Sequence, residues 1–198
     1  PHFLGTIDSF INHYLFLPFG HLILGCKKRP ELVGSPVNNW EPIGNGWFWK
    51  NAECNKSRCK LNDFSYDSQG SITNCSNFSH FNNCRSRHKF CEETKRRFSD
   101  QGFATQTDAA FYAMKILENY EKIAKALVYR FPVMIVDEAQ DSSEIQMRII
   151  DLLVTAGLKD VMLVGDPDQA IYEWRTENPS LFIDKYNSWE HFTMNENW

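Results

Sequence analysis

Two short apolar runs, each followed at once by polar residues, stand out in the second half of the chain. Residues 133–136 are all apolar and lead directly into Asp137 and Glu138, and residues 161–164 are followed by a glycine and an aspartate. Continuous apolar runs of this length, rich in β-branched side chains, are typical of strands buried on both faces of a parallel sheet. We therefore predict two buried strands whose carboxyl ends carry polar residues.

The segment between the two runs has the spacing of a helix. Between residues 143 and 156 apolar side chains recur every three or four positions, and Gly157 follows as a typical helix stop. Strand, helix and strand within about thirty residues form a βαβ unit, which favours parallel pairing and a right-handed crossover. The pattern thus predicts an α/β fold.

The acidic residues at the end of the first strand are candidates for chemistry. Ligands of open α/β sheets bind just beyond the carboxyl ends of the strands. At that position Asp137 can hold Mg²⁺ on a nucleoside triphosphate, and Glu138 can orient and deprotonate an attacking water. The alternative is a solvated strand end or helix N-terminus, where acidic side chains are favoured by the helix dipole.

Two longer strings carry a resemblance to a known family. Residues 137–141, Asp-Glu-Ala-Gln-Asp, resemble motif II, the Walker B box, of superfamily 1 DNA helicases of the UvrD/Rep/PcrA kind. Residues 165–175, Gly-Asp-Pro-Asp-Gln-Ala-Ile-Tyr-Glu-Trp-Arg, resemble motif III of the same family, at the expected distance downstream. The resemblance implies a partial RecA-like P-loop NTPase parallel sheet, subdomain 1A, that carries an irregular inserted subdomain similar to 1B.

The resemblance also implies a role for each matching residue. Asp137 would bind Mg²⁺, Glu138 would be the catalytic base, and Gln169 would sense the γ-phosphate of ATP. Arg175 would link DNA contact to the nucleotide site. Tyr172 and Trp174 would meet DNA bases, although packing of both rings against the sheet is the alternative.

The N-terminal segment resembles a third motif of the family. Residues 5–10, Gly-Thr-Ile-Asp-Ser-Phe, are similar to a string that touches the DNA backbone, which implies contacts from Thr6 and Ser9. Asp8 stands where the family usually has histidine, and an ordinary helix cap after a short strand at residues 2–6 is the alternative. The phrase from residue 3 to 19 also resembles the helicase subunit of Gabija-type anti-phage systems and other UvrD-like proteins encoded beside OLD-family nucleases. That narrower resemblance implies that a nuclease is a partner.

The middle of the chain reads as an insertion into the core. Prolines and glycines interrupt any regular period after residue 25, and the family places a variable subdomain here, which divides the chain into 1–25, 26–105 and 106–198. Five of the six cysteines fall between residues 54 and 91 of the insertion. A structural zinc site would use Cys54, Cys59, Cys84 and Cys91, but no Cys-x-x-Cys pair is present and free cysteines are favoured.

A basic run with interleaved aromatic residues closes the insertion. Between residues 85 and 98, six lysines and arginines surround Phe90 and Phe98. Such a run can line a single-strand path, with cations on phosphates and rings under bases, or it can be the solvated face of a helix.

Three further elements are expected around the two motifs. Residues 107–130 carry a broad apolar face and predict one long helix that leads into the first strand. A short helix is expected from Asn178 through Phe182. Residues 189–198 resemble the strand that approaches the family's motif IV.

The remaining composition narrows the class of protein. The net charge is −4, so bulk charge does not indicate nucleic acid, although a local basic patch can suffice. No apolar stretch approaches the roughly 18 residues of a transmembrane helix, so we expect no membrane partner. The family's nucleotide chemistry indicates a reducing, cytoplasmic compartment, where disulfides are rare.

The string Gly-x-x-x-x-Gly-Lys-Ser/Thr is absent from the chain. In the family this phosphate loop precedes residue 1, so we expect an internal piece of a larger motor that is inactive alone. The leading hypothesis is an ATP-dependent helicase that translocates on single-stranded DNA and unwinds duplex. The alternatives are a DNA-stimulated ATPase that regulates a partner nuclease, and a zinc-stapled nucleic-acid-binding module.

Overall fold

The computed structural model describes residues 2–33, 64–74, 89–169 and 179–194. The helices of these ranges are Ile7–Ile11 (α1), Leu17–Phe19 (α2), His21–Leu24 (α3), Lys89–Asp100 (α4), Gln106–Asn119 (α5), Glu121–Arg130 (α6), Glu144–Thr155 (α7) and Pro179–Ser188 (α8). The strands are Glu31–Leu32 (β1), Phe64–Tyr66 (β2), Ile72–Asn74 (β3), Phe103–Ala104 (β4), Val133–Val136 (β5) and Asp160–Leu163 (β6). A π-helical turn, Asn12–Phe16, joins α1 to α2, and 3₁₀ turns follow β5 and β6 at Ala139–Asp141 and Pro167–Gln169.

The predicted βαβ unit is confirmed. Strands β5 and β6 pair in parallel, and α7 connects them. Ser143 caps α7 through a capping box with Gln146, which satisfies two backbone groups at the start of the helix. Gly157 follows the helix with a φ of 113°, a left-handed conformation that glycine adopts without a Cβ penalty. Local capping and turn chemistry therefore set the ends of this unit.

Burial of β5 on both faces is not what the structure shows. Met134 packs toward the helical core, whereas Val133 and Ile135 are 57% and 66% exposed. The strand therefore alternates between a buried and an open face, because among the described residues the helices cover only the Met134 side. The prediction that β5 is buried on both faces is wrong for this part of the chain.

Helix α5 forms the centre of the hydrophobic core. Buried apolar side chains extend around most of the circumference of this helix, and Met114 and Ile116 have no surface exposed to solvent. It packs against α7 on one side and against the π-helical turn on the other. The broad apolar face read from the sequence is thus used on more than one side.

The single helix predicted for residues 107–130 is wrong, because the chain breaks between α5 and α6. Tyr120 has φ −129° and ψ 74°, which is outside the helical region, although its N–H still bonds to the Ile116 carbonyl at 2.8 Å. The break redirects α6, so that Ala124 and Leu127 remain buried in the core.

The strand predicted for residues 2–6 is also wrong. Residues 2–5 have no regular structure, and α1 begins at Ile7 with Thr6 as its N-cap. The ring of Phe3 packs edge-on against Phe10 and Tyr14, at centroid distances of 5.6 and 5.5 Å. This aromatic cluster folds the segment back onto the helix instead of extending it.

Part of the predicted insertion is described, and its pieces pack on α5. Strands β1 and β4 pair in parallel, while β2 and β3 form an antiparallel hairpin. Tyr66 of the hairpin stacks on Phe111 of α5 with ring centroids 4.8 Å apart. The insertion itself and its boundaries stay predictions.

The basic run does not present all of its members to solvent. Lys95 is 2% exposed and forms an ion pair with Asp108 of α5, and Phe98 is 1% exposed. For these two residues the single-strand path is wrong, because both point into the interior. Arg96 and Arg97 are exposed, and the run before residue 89 lies outside the described residues.

The C-terminal part differs from expectation in two ways. Helix α8 extends to Ser188, beyond the short helix predicted. Residues 190–194 form no strand, because Thr193 bonds to the Tyr186 hydroxyl at 2.9 Å and the segment folds back toward α8. In the described ranges, every helix is too short or too polar to cross a bilayer.

Candidate functional site at the carboxyl end of the parallel strands

The acidic pair lies where the sequence predicted it, directly after β5. Asp137 and Glu138 are both exposed at the strand end. Glu138 has φ 52° and ψ 40°, and it is the one non-glycine residue of the described ranges with a positive φ. Such a conformation costs on the order of 1–3 kcal/mol and persists only where the surroundings enforce it. It turns the chain sharply into the 3₁₀ turn.

Backbone hydrogen bonds hold the two strand ends together beyond the regular sheet. Val164 donates its N–H to the Val136 carbonyl, and Ala139 donates its N–H to the Val164 carbonyl, each at 2.8 Å. The loop after β5 and the loop after β6 therefore lie side by side. The segments that resemble motifs II and III of the helicase family therefore meet at this edge of the sheet.

A buried glutamine connects the two loops. Gln140 is 1% exposed, and its Nε2 donates to Glu138 Oε2 at 2.7 Å. Its Oε1 accepts the backbone N–H of Asp166 at 3.1 Å. Gln140 stands within the first of the two motifs in the sequence, but no sequence pattern indicates its bridging role, since the contact depends on how two strands align.

Asp166 organises the loop after β6. Its Oδ1 accepts the backbone N–H of Asp168 at 3.0 Å, and its Oδ2 accepts the side-chain amide of Gln169 at 2.7 Å. Gln169 is exposed at the surface. The structure thus brings Gln169 to the same edge of the sheet as Glu138, with Gln140 and Asp166 between them.

The Asp137 carboxylate at this edge is a suitable ligand for a magnesium ion. Asp137 uses Oδ1 to accept the Glu138 N–H at 3.0 Å, and among the described residues no hydrogen bond engages its Oδ2. Mg²⁺ usually binds one or two protein carboxylates and completes its shell with water and substrate phosphates. Within the described ranges, no group of three or more His, Cys, Asp or Glu side chains could hold a metal. A single carboxylate is consistent with that mode of binding.

Thr6 lines an open groove together with the acidic pair, and Ser9 is its hydrogen-bonded neighbour at the start of α1. The Thr6 hydroxyl donates to the Ser9 hydroxyl at 3.0 Å and accepts the Ser9 N–H at 3.1 Å, and both residues are exposed. The groove has a volume of about 1280 Å³ and is lined by Thr6, Asp137 and Glu138 among others. The first DNA-contact candidate therefore shares a depression with the acidic pair.

The unusual acid at position 8 has a partner inside the protein. Asp8 accepts a hydrogen bond from Gln146 Nε2 at 2.8 Å, while the Gln146 Oε1 accepts the N–H of Ser143. This contact ties α1 to the start of α7. Asp8 is thus a structural contact between two elements that line the groove.

Several predicted site residues lie outside the described residues. These are Tyr172, Trp174 and Arg175 of the segment that resembles motif III and Cys54, Cys59 and Cys84 of the predicted zinc site. Cys91 falls within α4, but its side chain is not among those described. Cys26 is a free, buried thiol. Zinc binding by these cysteines stays a prediction.

The position of the acidic pair and a match to a known family together indicate which family the chain belongs to. In open α/β sheets ligands bind just beyond the carboxyl ends of the strands, and the acidic pair lies at that position. A family model described as the UvrD/REP helicase N-terminal domain matches residues 49–190, which is more than half of the chain. The chain belongs to this family, and the resemblance seen in the two motifs is confirmed.

Relatives with assigned names agree with the family. The chain is 32% identical over 101 residues to an ATP-dependent helicase/nuclease subunit of Natranaerobius thermophilus, a match that covers 50% of this chain. It is 34% identical over 99 residues to the protein of the same name of Alkaliphilus metalliredigens, again 50% of this chain. It is 32% identical over 97 residues to the "Exonuclease/helicase subunit RexA" of Streptococcus pneumoniae, 49% of this chain. The match spans 8% of the length of each relative. The narrower resemblance to Gabija-type helicases stays a prediction.

Proposed function

We propose that this chain is the catalytic edge of an ATP-dependent DNA helicase that couples ATP hydrolysis to movement on single-stranded DNA and to duplex unwinding. The observation that carries the proposal is the meeting of Glu138 and Gln169 at one edge of the parallel strands, joined through Gln140 and Asp166. We place the activity in the full-length protein that contains this chain together with a phosphate-binding loop and a second motor domain.

The chemistry proposed for the acidic pair is the one that the family resemblance implies, and the exposed position of the pair at the strand end supports it. Asp137 would hold Mg²⁺, and the ion would supply charge neutralisation at the phosphates. Glu138 accepts a proton from a water whose oxygen attacks the γ-phosphorus of ATP, while the bond to the leaving ADP oxygen breaks. Gln169 detects the γ-phosphate by exchanging its amide contact with Asp166 for one with the nucleotide.

DNA contact is assigned to two groups of residues. Thr6 and Ser9 present hydroxyls at the exposed start of α1, which suits contacts to backbone phosphates. Tyr172 and Trp174 stack on bases, and Arg175 connects DNA binding with the nucleotide site. Base stacking on an aromatic side chain contributes roughly 1–3 kcal/mol per base.

A second candidate function uses the same site without unwinding. The relatives are named as a helicase/nuclease component and as an exonuclease/helicase component, and these names favour an association with nuclease activity. In this alternative the DNA-stimulated ATPase regulates a partner nuclease. Strand-separation assays run beside ATP hydrolysis distinguish the two functions.

The test is ATP hydrolysis by the full-length protein with and without single-stranded DNA. We expect DNA to stimulate turnover and the Glu138→Gln variant to lose it while still binding Mg-ATP, because the amide cannot accept the proton. Glu121→Gln is the matched control, since Glu121 is an exposed carboxylate whose pairing with Lys125 at 2.6 Å contributes little. Turnover by Glu138→Gln at the wild-type rate would contradict the assignment.

A further inference from the structure

In the hydrogen bonds of the described residues, Gln140 is the one side chain that bonds both to the carboxylate of the proposed base and to the loop after the neighbouring strand. Its Nε2 donates to Glu138 Oε2 at 2.7 Å, and its Oε1 accepts the N–H of Asp166 at 3.1 Å. From this geometry we propose that Gln140 is a positioning residue for hydrolysis, which fixes the Glu138 carboxylate against the attacking water. This inference rests on the proposed function, because Gln140 acts through Glu138.

The base needs such a partner because little else restrains its side chain. Glu138 is exposed, and a glutamate side chain at the surface samples many rotamers. The contact with Gln140 engages one carboxylate oxygen, Oε2, and among the described residues no hydrogen bond engages Oε1. One oxygen is therefore anchored and the other is left to accept a proton from water.

Gln140 is itself fixed by close packing. A Cβ atom at Gly165 would overlap Gln140 Oε1 and would lie 3.2 Å from the Gln140 backbone nitrogen. Only a glycine lets the loop after β6 pass this close to the amide. The side chain is also 1% exposed, so the carboxamide is clamped between two loops and shielded from water.

The same contact extends to the predicted γ-phosphate sensor. Asp166, whose N–H binds Gln140, holds the Gln169 amide through its carboxylate at 2.7 Å. A continuous hydrogen-bonded chain thus runs from Glu138 through Gln140 and Asp166 to Gln169. We call these four residues the strand-end chain. A movement of the loop after β6 reaches the base through Gln140.

Two substitutions of Gln140 separate positioning from general structural support. Gln140→Met keeps the size of the side chain and removes both hydrogen bonds. Gln140→Glu keeps an oxygen to accept the Asp166 N–H, but an ionised carboxylate cannot donate to Glu138. Gly165→Ala tests the same contact without altering its chemistry, because the new methyl group displaces the Gln140 amide.

A matched control is available in the same protein. Gln106 also uses its side-chain oxygen in a hydrogen bond, which it accepts from Asn12 at 3.0 Å, and it makes no contact with the strand-end chain in the hydrogen bonds of the described residues. Gln106→Met therefore reports the effect of losing a hydrogen-bonded glutamine elsewhere. Thermal melting of each full-length variant identifies any that fails to fold.

The measurement is kcat and KM for ATP at saturating single-stranded DNA. We expect kcat to fall roughly 10- to 100-fold in Gln140→Met, Gln140→Glu and Gly165→Ala, by analogy with the loss of a hydrogen-bonding partner behind a metal ligand. KM should change by less than about twofold, because ground-state binding of ATP does not use Gln140. Gln106→Met should match the wild type.

A wild-type kcat in Gln140→Glu would overturn the inference, since the link to Asp166 would then suffice without donation to Glu138. A rise in KM that accounts for the whole loss of kcat/KM would overturn it as well. If Gln140→Met does not fold, Gln140→Glu and Gly165→Ala decide. Failure of the proposed function looks different: the wild type is inactive, or Glu138→Gln hydrolyses ATP normally.

Discussion

Two polar clusters of the chain are built in opposite ways. In the buried cluster, Lys95 and Asp108 have side chains that are 1% and 4% exposed, and the Thr105 hydroxyl donates to the same carboxylate at 2.8 Å. In the strand-end chain, Glu138 is exposed and a neutral amide, Gln140, is the buried member. One arrangement hides both charges, and the other keeps its charges in reach of a ligand.

Exposure to solvent separates a cluster that serves stability from one that can serve chemistry. A buried ion pair has no access to substrate, and removal of one partner leaves the charge of the other in the interior without its counter-ion. A charge at a strand end can bind or react, provided that a buried neutral partner holds it in place. We therefore predict that substitutions in the buried cluster lower the free energy of unfolding, whereas substitutions in the strand-end chain lower the rate of ATP turnover.

The largest effect on stability is expected from Asp108→Ala. Removing one partner of a buried pair typically costs about 3–5 kcal/mol, because Lys95 is left charged and buried. Urea unfolding should show this loss in the free energy of unfolding. The double variant Lys95→Met/Asp108→Leu should recover most of it, and a loss below about 1 kcal/mol in Asp108→Ala would show that the pair is solvated.

The next effect concerns alkaline pH. Burial, followed by the charge of Asp108, raises the pKa of Tyr66 from 10.0 to about 12. Burial, and then the charge of Tyr66, also raises the pKa of Tyr112 well above its usual range. The folded state favours the neutral phenols, so their contribution to stability is complete below pH 10 and is lost as pH rises from there toward about 12.

Unfolding experiments across this range provide the check. Tyr66→Phe should reduce the fall in the free energy of unfolding above pH 10. Tyr129→Phe is the matched control, because Tyr129 is 91% exposed. If the free energy of unfolding falls equally steeply with pH in both variants and in the wild type, ionisation of Tyr66 is not the cause of the alkaline loss.

The smallest effect is expected at the helix beneath the strand-end chain. Ser143 caps α7 by accepting the Gln146 N–H at 3.3 Å. Ser143→Ala should lower the free energy of unfolding by about 1 kcal/mol, the usual value of such a cap. Ser143→Gly should lower it by only a few tenths of a kcal/mol, and urea unfolding of both variants measures the difference. A fall in kcat in Ser143→Gly, whose free energy of unfolding should stay near that of the wild type, would mean that the cap also supports the site.

Sequence patterns predicted the parts of this structure that depend on near neighbours. The apolar runs before Asp137 and Gly165 predicted the parallel strands, and the helical spacing of apolar residues between 143 and 156, with Gly157 as a stop, predicted the helix between them. The acidic pair could be placed because a strand end is a local feature. Its chemistry came from the resemblance of two strings to a family.

Contacts between distant residues were out of reach of the same patterns. Lys95 looked like part of a basic surface, because its partner Asp108 lies on another helix. Gln140 gave no signal of its bridging role, since Asp166 is 26 residues away and reaches it only once the strands are aligned. The break at Tyr120 was missed because the apolar period continues through it.

The most direct test of the catalytic claim is single-turnover hydrolysis of γ-labelled ATP by the full-length protein, with enzyme in excess and single-stranded DNA present. The wild type and Glu121→Gln should release labelled phosphate, whereas Glu138→Gln should bind the nucleotide and release none. Release by Glu138→Gln at a rate close to the wild type would show that the carboxylate at the end of β5 is not the base.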